Sequence, residues 1–280
     1  MTRQIPENQT VLIMNQAHSS FKSIYGPVQS WRFGRSLGID VIGPRSTCSF
    51  NCAYCQLGDI QQKTTHRQVF VDTNQIRQEL SELDPLTKID VIALSGNGEP
   101  TLALNLDEIL ASVKECLDRP VVVLTNGSLL RDKAVCSALQ LADQVIVKLD
   151  AISNQQLHCI NRPEPEIDLA LLLEGMSTFS EEYSGHLAIQ TMLLKPWPSG
   201  DRAHYIQLLK EFMPDEVQLN APSRPRVLTR QLEARGNQIL ALEPNAFQKL
   251  KCVSTETLKG FSVEIEAYSG ISTRYPLLSV

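Results

Sequence analysis

The chain has 280 residues, of which 42% are hydrophobic, and this suits one large α/β domain or a domain with a small appendage. The formal net charge of -5 argues against a protein that binds nucleic acid through a surface that is basic all over, but it is compatible with a local basic patch. No apolar run approaches the ~20 residues that a membrane span needs, and residues 1–6 contain no signal-peptide core. We therefore expect a cytoplasmic protein in a reducing compartment, with no membrane partner.

The predicted elements begin after an N-terminal extension, residues 1–35, which is polar and irregular and has a turn signal at residues 25–27. The first strand is predicted over residues 36–42, and it leads directly into a loop with three cysteines. Helical and strand patterns then alternate. Further strands are predicted over residues 89–94, 121–124, 145–150, 187–193 and 217–220, and helices over residues 73–83, 105–117, 130–141, 167–179 and 205–212.

Six strands that alternate with helices predict βα units and a parallel sheet. An open doubly wound sheet and a partial β/α barrel both fit this alternation. The barrel is favoured because polar residues follow the carboxyl end of every predicted strand, where β/α barrels build their active sites. These residues are the cysteines, residues 97–100, residues 125–127, Asp150, residues 195–196 and Asn220.

The pattern changes after Pro222. Residues 223–230 are basic and interrupted by proline, and they are followed by a predicted helix over residues 246–258 and a predicted strand over residues 262–267. We expect a C-terminal extension, residues 223–280, that packs on a barrel domain of residues 36–222.

Three cysteines in one short loop have the spacing C-x3-C-x2-C, at Cys48, Cys52 and Cys55. Three thiolates so close together need a cation or a cluster that stabilises the deprotonated form. Structural zinc usually has four protein ligands, and His66 would complete a Cys3His site. An iron-sulfur cluster on three cysteines leaves one iron free. Ordinary buried or disulfide-bonded cysteines are the third interpretation, although an odd total of seven cysteines in a chain without an export signal favours thiols and metal ligands.

The same loop places an aromatic residue, Tyr54, directly before the last cysteine, and C-x3-C-x-aromatic-C resembles the signature of the radical S-adenosylmethionine (radical SAM) superfamily. The resemblance implies an α/β fold, a partial (β/α)6 barrel, over about residues 36–222. It implies a [4Fe-4S] cluster on Cys48, Cys52 and Cys55, whose open iron chelates the methionine moiety of S-adenosylmethionine (SAM), with Tyr54 near the adenine. A one-electron donor such as flavodoxin or ferredoxin is implied as a partner.

Residues 97–100 follow the second predicted strand and resemble the GGEP motif of that superfamily, with Asn97 in place of the first glycine. In the family this segment binds the methionine amino group. Glycine at position 98 lets the backbone approach a ligand, Glu99 offers an anionic acceptor to an ammonium group, and Pro100 completes the motif. A plain turn is the alternative.

Other polar residues at strand ends are weaker candidates for cofactor contacts. Thr125 and Asn126 occupy a position where related enzymes place polar residues near the cofactor, but a βα turn is equally compatible with this sequence. Lys148 and Asp150 share one face of the fourth strand, where they form either an internal ion pair or contacts to substrate and cofactor. The same position in later strands adds Gln190 and Asn220.

The resemblance implies a reaction in which a reduced cluster passes one electron to the sulfonium of SAM, methionine leaves, and a 5′-deoxyadenosyl radical abstracts a substrate hydrogen. The alternative is a zinc-stabilised module that binds nucleic acid or protein without catalysis. Residues 25–28, 34–40, 56–58 and 220–225 also resemble short radical SAM proteins related to the tRNA wyosine-synthesis enzymes. The chain departs from them at residues 31–33, and it lacks the additional cysteine set of the archaeal wyosine enzymes.

Arginines cluster in two segments although the chain is acidic overall. If the first and sixth strands are the edges of the barrel, both segments enter at its carboxyl rim, and the sequence then predicts a phosphate-bearing substrate. The resemblance to the wyosine-related proteins implies RNA as the natural candidate. Pairing of these arginines with surface carboxylates is the alternative. The arginines are Arg32, Arg35 and Arg45 before or within the cysteine loop, and Arg224, Arg226, Arg230 and Arg235, which have only Glu233 to oppose them.

Overall fold

The computed structural model describes residues 21–222, 224–228, 235 and 247–277. Its strands are, in chain order, β1 (Ile24–Ser30), β2 (Gly34–Ile39), β3 (Thr47–Cys48), β4 (Gln62–Lys63), β5 (Val91–Leu94), β6 (Val121–Thr125), β7 (Gln144–Lys148), β8 (His186–Met192), β9 (Glu216–Asn220), β10 (Arg226–Val227), β11 (Phe247–Gln248) and β12 (Ser272–Arg274). Its helices are α1 (Thr73–Ser81), α2 (Leu106–Cys116), α3 (Lys133–Leu139), α4 (Asn154–Ile160), α5 (Leu169–Glu182), α6 (Ser199–Phe212) and α7 (Thr255–Ser269), with a 3-10 turn at Pro100–Leu102.

Eight of the described strands form one curled sheet in the order β1-β2-β5-β6-β7-β8-β9-β12. All neighbours from β2 to β12 pair in parallel, and β1 pairs with β2 antiparallel. The six strands predicted from the sequence are β2 and β5 to β9, so the predicted α/β partial barrel is confirmed. Every residue of β5 is buried, as expected for a strand with both faces covered.

The helices pack on the outer face of the sheet and form most of the core. Asp72 caps α1 by accepting a hydrogen bond from the backbone N–H of Asn74. A smaller apolar group, Val91, Val122, Ile146 and Ala188, lies on the other face of the sheet and packs against Phe33. The barrel therefore has an apolar layer inside its lumen.

Two elements at the chain ends differ from the prediction. Residues 24–30, predicted to be irregular, form β1, whose pairing with β2 is interrupted by a register shift between Tyr25 and Val28. Such an interrupted, half-exposed edge strand shows no clean alternation of apolar and polar residues. The predicted strand over residues 262–267 is wrong, because α7 runs through it and buries Phe261 and Ile265 at helical spacing.

The predicted helix over residues 246–258 is also displaced. Part of it lies outside the described residues, β11 occupies its next two positions, and α7 begins only at Thr255 after its N-cap, Ser254. The short helix α4 was not predicted within the long connection after β7. The extension boundaries at residues 35 and 223 stay predictions.

The edges of the sheet are β1 and β12, and not the first and sixth predicted strands. Arg274, in β12, donates from Nη2 to the carbonyl oxygen of Arg32 at 3.0 Å, in the turn between β1 and β2. Its Nη1 lies 3.6 Å from Glu216 of β9. One guanidinium thus connects the two edges of the sheet, at the amino ends of the parallel strands. Within the described residues no helix is long and apolar enough to span a membrane.

Helix α7 packs on the barrel through three aromatic rings, and this generates a prediction. Phe261, which is 4% exposed, lies 5.8 Å from Trp197 and 5.5 Å from Tyr205 between ring centroids. Replacing Phe261 by alanine is expected to lower the free energy of unfolding by about 3–5 kcal/mol in a urea titration. Tyr268→Ala on the same helix, at a side chain that is 67% exposed, should change it by less than about 0.5 kcal/mol. If both substitutions change the free energy of unfolding by equally small amounts, the C-terminal extension does not stabilise the barrel.

Candidate functional site

A cavity of about 310 Å³ extends through the lumen of the barrel. Its wall includes residues from the carboxyl ends of β5 to β9, the cysteine loop, and the turn between β1 and β2. The lining residues used below are Trp31, Arg32, Cys48, Cys52, Tyr54, Cys55, Gln56, Gly98, Glu99, Thr125, Asn126, Lys148, Gln190, Asn220 and Arg224.

The cysteine loop is held against the end of β5 by backbone contacts. Thr47 donates its N–H to the carbonyl oxygen of Asn97 at 3.0 Å and accepts from the N–H of Glu99 at 3.1 Å. A Cβ atom on Gly98 would lie 1.6 Å from the carbonyl oxygen of Thr47. Thr47 and residue 98 can approach this closely only because residue 98 is a glycine without a side chain. This contact puts Cys48 and Glu99 on the same cavity wall.

A residue that sequence reasoning did not select holds the other side of the loop. Asn161 follows α4, and its carbonyl oxygen accepts from the N–H of Asn51 at 3.0 Å. Its Nδ2 donates to Sγ of Cys52 at 3.5 Å and to Oδ2 of Asp150 at 2.7 Å. The sequence signal was only an Asn-Arg-Pro turn more than 100 residues from the loop, so the contact depends on the tertiary fold.

All three cysteines are half-buried at the cavity wall, and their protons are costly to remove. Burial raises the pKa of Cys48 well above its usual value, with the nearby Glu99 charge as the next cause. Burial raises the pKa of Cys52 to about 12, although Lys148 opposes this change. The pKa of Cys55 is also raised, mainly by burial. Three thiolates are therefore stable here only with a cationic group bound to them.

Two hydrogen bonds reach the sulfur of Cys48. It accepts from the N–H of Phe50 at 3.4 Å and from Nδ2 of Asn126 at 3.6 Å, and bonds to sulfur of this kind tune iron-sulfur sites. Among the described residues no group of three or more His, Cys, Asp or Glu side chains is arranged to hold a single metal ion. His66 is exposed and does not line the cavity, so the structure does not support it as a fourth zinc ligand.

Glu99 is a buried carboxylate, 2% exposed, that is held in place by neutral groups. It accepts from Oγ1 of Thr125 at 2.6 Å, from the N–H of Asn126 at 2.7 Å, and from the N–H and Oγ1 of Thr101 at 3.1 and 2.7 Å. Burial raises its pKa, and these hydrogen bonds oppose the increase. No cation of the described chain forms an ion pair with it.

Lys148 and Asp150 form a network with Tyr54. The Tyr54 hydroxyl donates to Oδ2 of Asp150 and accepts from Nζ of Lys148 at 2.8 Å. Nζ lies 5.1 Å from the centroid of the Tyr54 ring and 3.8 Å from Oδ2 of Asp150. Asp150 also accepts from the N–H of Met192 at 2.8 Å, and it is absent from the cavity wall. The internal ion pair is thus present, while Lys148 and Tyr54 line the cavity.

The remaining predicted site residues fall into two groups. Gln190 and Asn220 line the cavity. Asn97 and Pro100 are buried but do not line it. Asn97 donates from Nδ2 to the carbonyl oxygen of Gly43 at 2.9 Å, and Pro100 begins the 3-10 turn, so both support the position of the segment between them.

The structure separates the arginines that the sequence grouped together. Three pair with carboxylates: Arg35 with Asp90, Arg226 with Asp59, and Arg235 with Asp40. Arg45 is exposed, and Arg230 and Glu233 lie outside the described residues. Arg32 and Arg224 line the cavity. The expectation that both segments enter at the carboxyl rim is wrong for Arg32, because the turn that carries it lies at the amino end of β2.

Comparisons with known proteins agree with this geometry. Two solved structures share the fold: Streptococcus suis SuiB bound to the precursor peptide SuiA, with a TM-score of 0.59 and 12% identity, covering 83% of this chain and 47% of that one, and anSMEcpe with bound AdoMet, with a TM-score of 0.53 and 16% identity, covering 85% and 64%. At these identities the likeness shows the partial-barrel fold alone.

The protein-family model described as "Radical SAM superfamily" matches residues 44–209, which are more than half of the chain. The chain therefore belongs to this superfamily. A UPF0026 protein of Synechocystis is 47% identical over 258 residues, which are 92% of this chain and 97% of that protein. A probable GTP 3′,8-cyclase of Saccharolobus islandicus is 32% identical over 124 residues, 44% of this chain and 38% of that protein. The chain is therefore an enzyme of the class that uses a [4Fe-4S] cluster, SAM and a one-electron donor.

The close approach at Gly98 predicts that a methyl group there will disrupt the site. We expect Gly98→Ala to cost about 1–3 kcal/mol of stability and to lower the iron incorporated during anaerobic reconstitution, because the cysteine loop must move away from β5. Gly260→Ala is the matched control, since a Cβ atom there meets nothing within 4 Å and should add about 0.5–1 kcal/mol of helix stability. Normal iron content and stability in Gly98→Ala would contradict this account.

Proposed function

We propose that Cys48, Cys52 and Cys55 bind the [4Fe-4S] cluster and that the cavity beside them binds SAM. One observation carries the proposal: three half-buried thiols and a buried carboxylate without a cationic partner face the same cavity. The thiols need a cationic cluster and the carboxylate needs an ammonium group, so together they match the two parts of this cofactor pair.

When bound, the reduced cluster and SAM supply a 5′-deoxyadenosyl radical that removes a hydrogen atom from the substrate. The protein positions the reacting groups. Glu99 accepts the methionine ammonium, while Thr125 and Asn126 fix the direction of its carboxylate. The hydrogen bonds to Asp150 and Lys148 hold the ring of Tyr54 at the wall, where it can contact the adenine. Gln190 and Asn220 supply polar contacts to the remainder of the cofactor or to the substrate.

The proposed substrate bears phosphate, and RNA is the candidate that the wyosine-related sequence features favour. Two observations support a phosphate-bearing substrate. Arg32 and Arg224 line the cavity without a carboxylate partner among the described residues. A probable GTP 3′,8-cyclase, whose name specifies a nucleotide substrate, is similar over 124 residues. We further propose flavodoxin or ferredoxin as the electron donor and the reducing cytoplasm as the compartment.

Metal analysis tests the cluster assignment. Anaerobically reconstituted protein should bind about four irons per chain, and Cys52→Ala should lose them because one of the three ligands is missing. Cys116→Ala is the matched control, since this thiol is exposed on α2 and should leave the iron content unchanged. A protein that keeps stoichiometric zinc and shows no iron-sulfur absorption would support the zinc-stabilised binding module instead.

Glu99→Gln tests the position of the methionine ammonium. The substitution keeps the shape of the side chain but removes its charge, so we expect SAM to bind about 10- to 100-fold more weakly, as for the loss of a charge-assisted hydrogen bond. The iron content should stay normal, because Glu99 is not assigned to the cluster. Equilibrium dialysis with labelled SAM measures the effect, with the exposed Glu115→Gln as control. Equal affinities would show that the ammonium binds elsewhere.

A further inference from the structure

The amino-terminal end of the lumen carries a second polar region of the cavity. Residues 31–33 form the turn between β1 and β2, and this turn lies at the amino end of the parallel strands. Phe33 packs on the apolar layer inside the barrel, while Trp31 and Arg32 line the cavity. Arg224, which follows the carboxyl end of β9, lines the same cavity. The cavity thus extends from the cysteine loop to the turn at the opposite end of the sheet.

Arg32 is a half-buried cation with one unused hydrogen-bond donor. Its Nε is buried and has no hydrogen-bond partner among the described residues. Its Cζ lies 5.5 Å from the ring centroids of both Trp31 and Phe33. The pKa of Arg32 is lowered to about 10, first by burial and then by the charges of Arg224 and Arg274. An unpaired guanidinium in such a place is costly unless an anion binds to it.

Arg224 is an exposed residue that lines the same cavity, and its charge acts on Arg32. Burial lowers the pKa of Arg224, and its Nη1 donates to the neutral Oε1 of Gln56 at 2.9 Å. Arg226, two residues later, instead pairs with Asp59 at 2.5 Å. Among the described arginines, those that pair closely with carboxylates lie outside the cavity wall, whereas the two that line it have no ion pair. Ion pairs with carboxylates of the described chain therefore do not explain the presence of Arg32 and Arg224 at the cavity wall.

We propose that Arg32 and Arg224 bind the phosphate group of a nucleotide unit that enters the lumen as the substrate. Two guanidinium groups offer several parallel donors to the oxygens of one phosphate, and a phosphate monoester carries about -1.5 to -2 charges at pH 7, which matches two cations. The aromatic face of Trp31 lies on the same wall and can stack on a base. This inference rests on the proposed function, since it identifies the substrate class of that site.

The size of the cavity limits what can enter. At about 310 Å³ it is at the lower end of the range for small-molecule sites, so it does not admit a folded nucleic acid. The unit is either a free nucleotide or a single nucleotide that an RNA extends into the lumen. The free nucleotide presents a phosphate monoester and the RNA presents a phosphodiester with one negative charge, and both groups offer unesterified anionic oxygens to the two arginines.

Binding measurements on cluster-loaded, SAM-saturated protein test the inference. GMP should bind, and guanosine, which lacks the phosphate, should bind at least about 10-fold more weakly. Arg32→Gln and Arg224→Gln should each weaken GMP binding by about 10-fold or more. Arg35→Gln is the matched control, because this exposed arginine pairs with Asp90 outside the cavity and should leave GMP binding unchanged.

Thermal unfolding separates a binding role from a structural one. Because Arg32→Gln removes an unpaired charge, the melting temperature of the ligand-free variant should equal or exceed that of the unsubstituted protein. GMP should raise the melting temperature of the unsubstituted protein but not that of the variant. A lower melting temperature with a normal response to GMP would assign Arg32 to the fold and overturn the inference. If Arg32→Gln does not fold, Arg224→Gln and Arg32→Lys decide, since lysine keeps the charge but loses the paired donors.

The remaining outcomes are distinct. If the unsubstituted protein loads its cluster and cleaves SAM but binds GMP no better than guanosine, and bulk tRNA also shows no binding, the inference fails while the proposed function stands. Equal losses of SAM and GMP affinity in both variants would assign the arginines to the cofactor carboxylate and overturn the inference.

If tRNA binds and GMP does not, RNA is the source of the nucleotide. The slope of log affinity against log salt should then be about -0.7 per phosphate contact, and its magnitude should fall in both variants. Absence of cluster loading or SAM cleavage defeats the proposed function itself.

Discussion

The backbone contact between Thr47 and Gly98 is the constraint on which the site depends. It joins the start of the cysteine loop to the residue before Glu99, so the thiols and the carboxylate reach the cavity together. Asp40 reinforces it from behind the loop, because its carboxylate accepts from the N–H groups of Gly43 at 3.2 Å and Asn97 at 3.1 Å. An ion pair with Arg235 at 2.8 Å stabilises this carboxylate. Two stretches 50 residues apart are thus aligned by groups that take no part in the chemistry.

Charge left unpaired by the protein marks each region where a ligand is proposed. The thiols need a cation, Glu99 needs an ammonium group, and Arg32 with Arg224 needs an anion. The contrast with Lys148 and Asp150 is informative, since those two charges satisfy each other through Tyr54. Partial burial weakens the solvation of a charged group, so such a group without a protein partner is destabilising until a ligand compensates it.

The ends of the chain shape the lumen. The hairpin of β1 and β2 inserts residues 31–33 at one end of the barrel, and β12 lies at the other edge of the sheet. Arg274 bonds to the carbonyl oxygen of Arg32 and lies near Glu216, so the gap between the two edges is bridged by side-chain and not by ladder hydrogen bonds. The bond from Arg274 also holds the backbone of Arg32, whose side chain lines the cavity. The closure of the barrel is thus linked to the proposed recognition of substrate.

The sequence by itself determined the six central strands, the helices between them except α4, and the candidate thiols with Glu99, because strands buried on both faces and closely spaced ligands leave local patterns. Only the tertiary structure decided the roles of Asn161 and Asp40, the separation of Arg32 and Arg224 from the paired arginines, and the identity of the sheet edges. Edge strands show only a weak alternation of apolar and polar residues. Residues 262–267 have a pattern typical of a strand, although they form part of α7. Whether an arginine meets a carboxylate or a cavity depends on residues distant in the chain, and no local pattern encodes that contact.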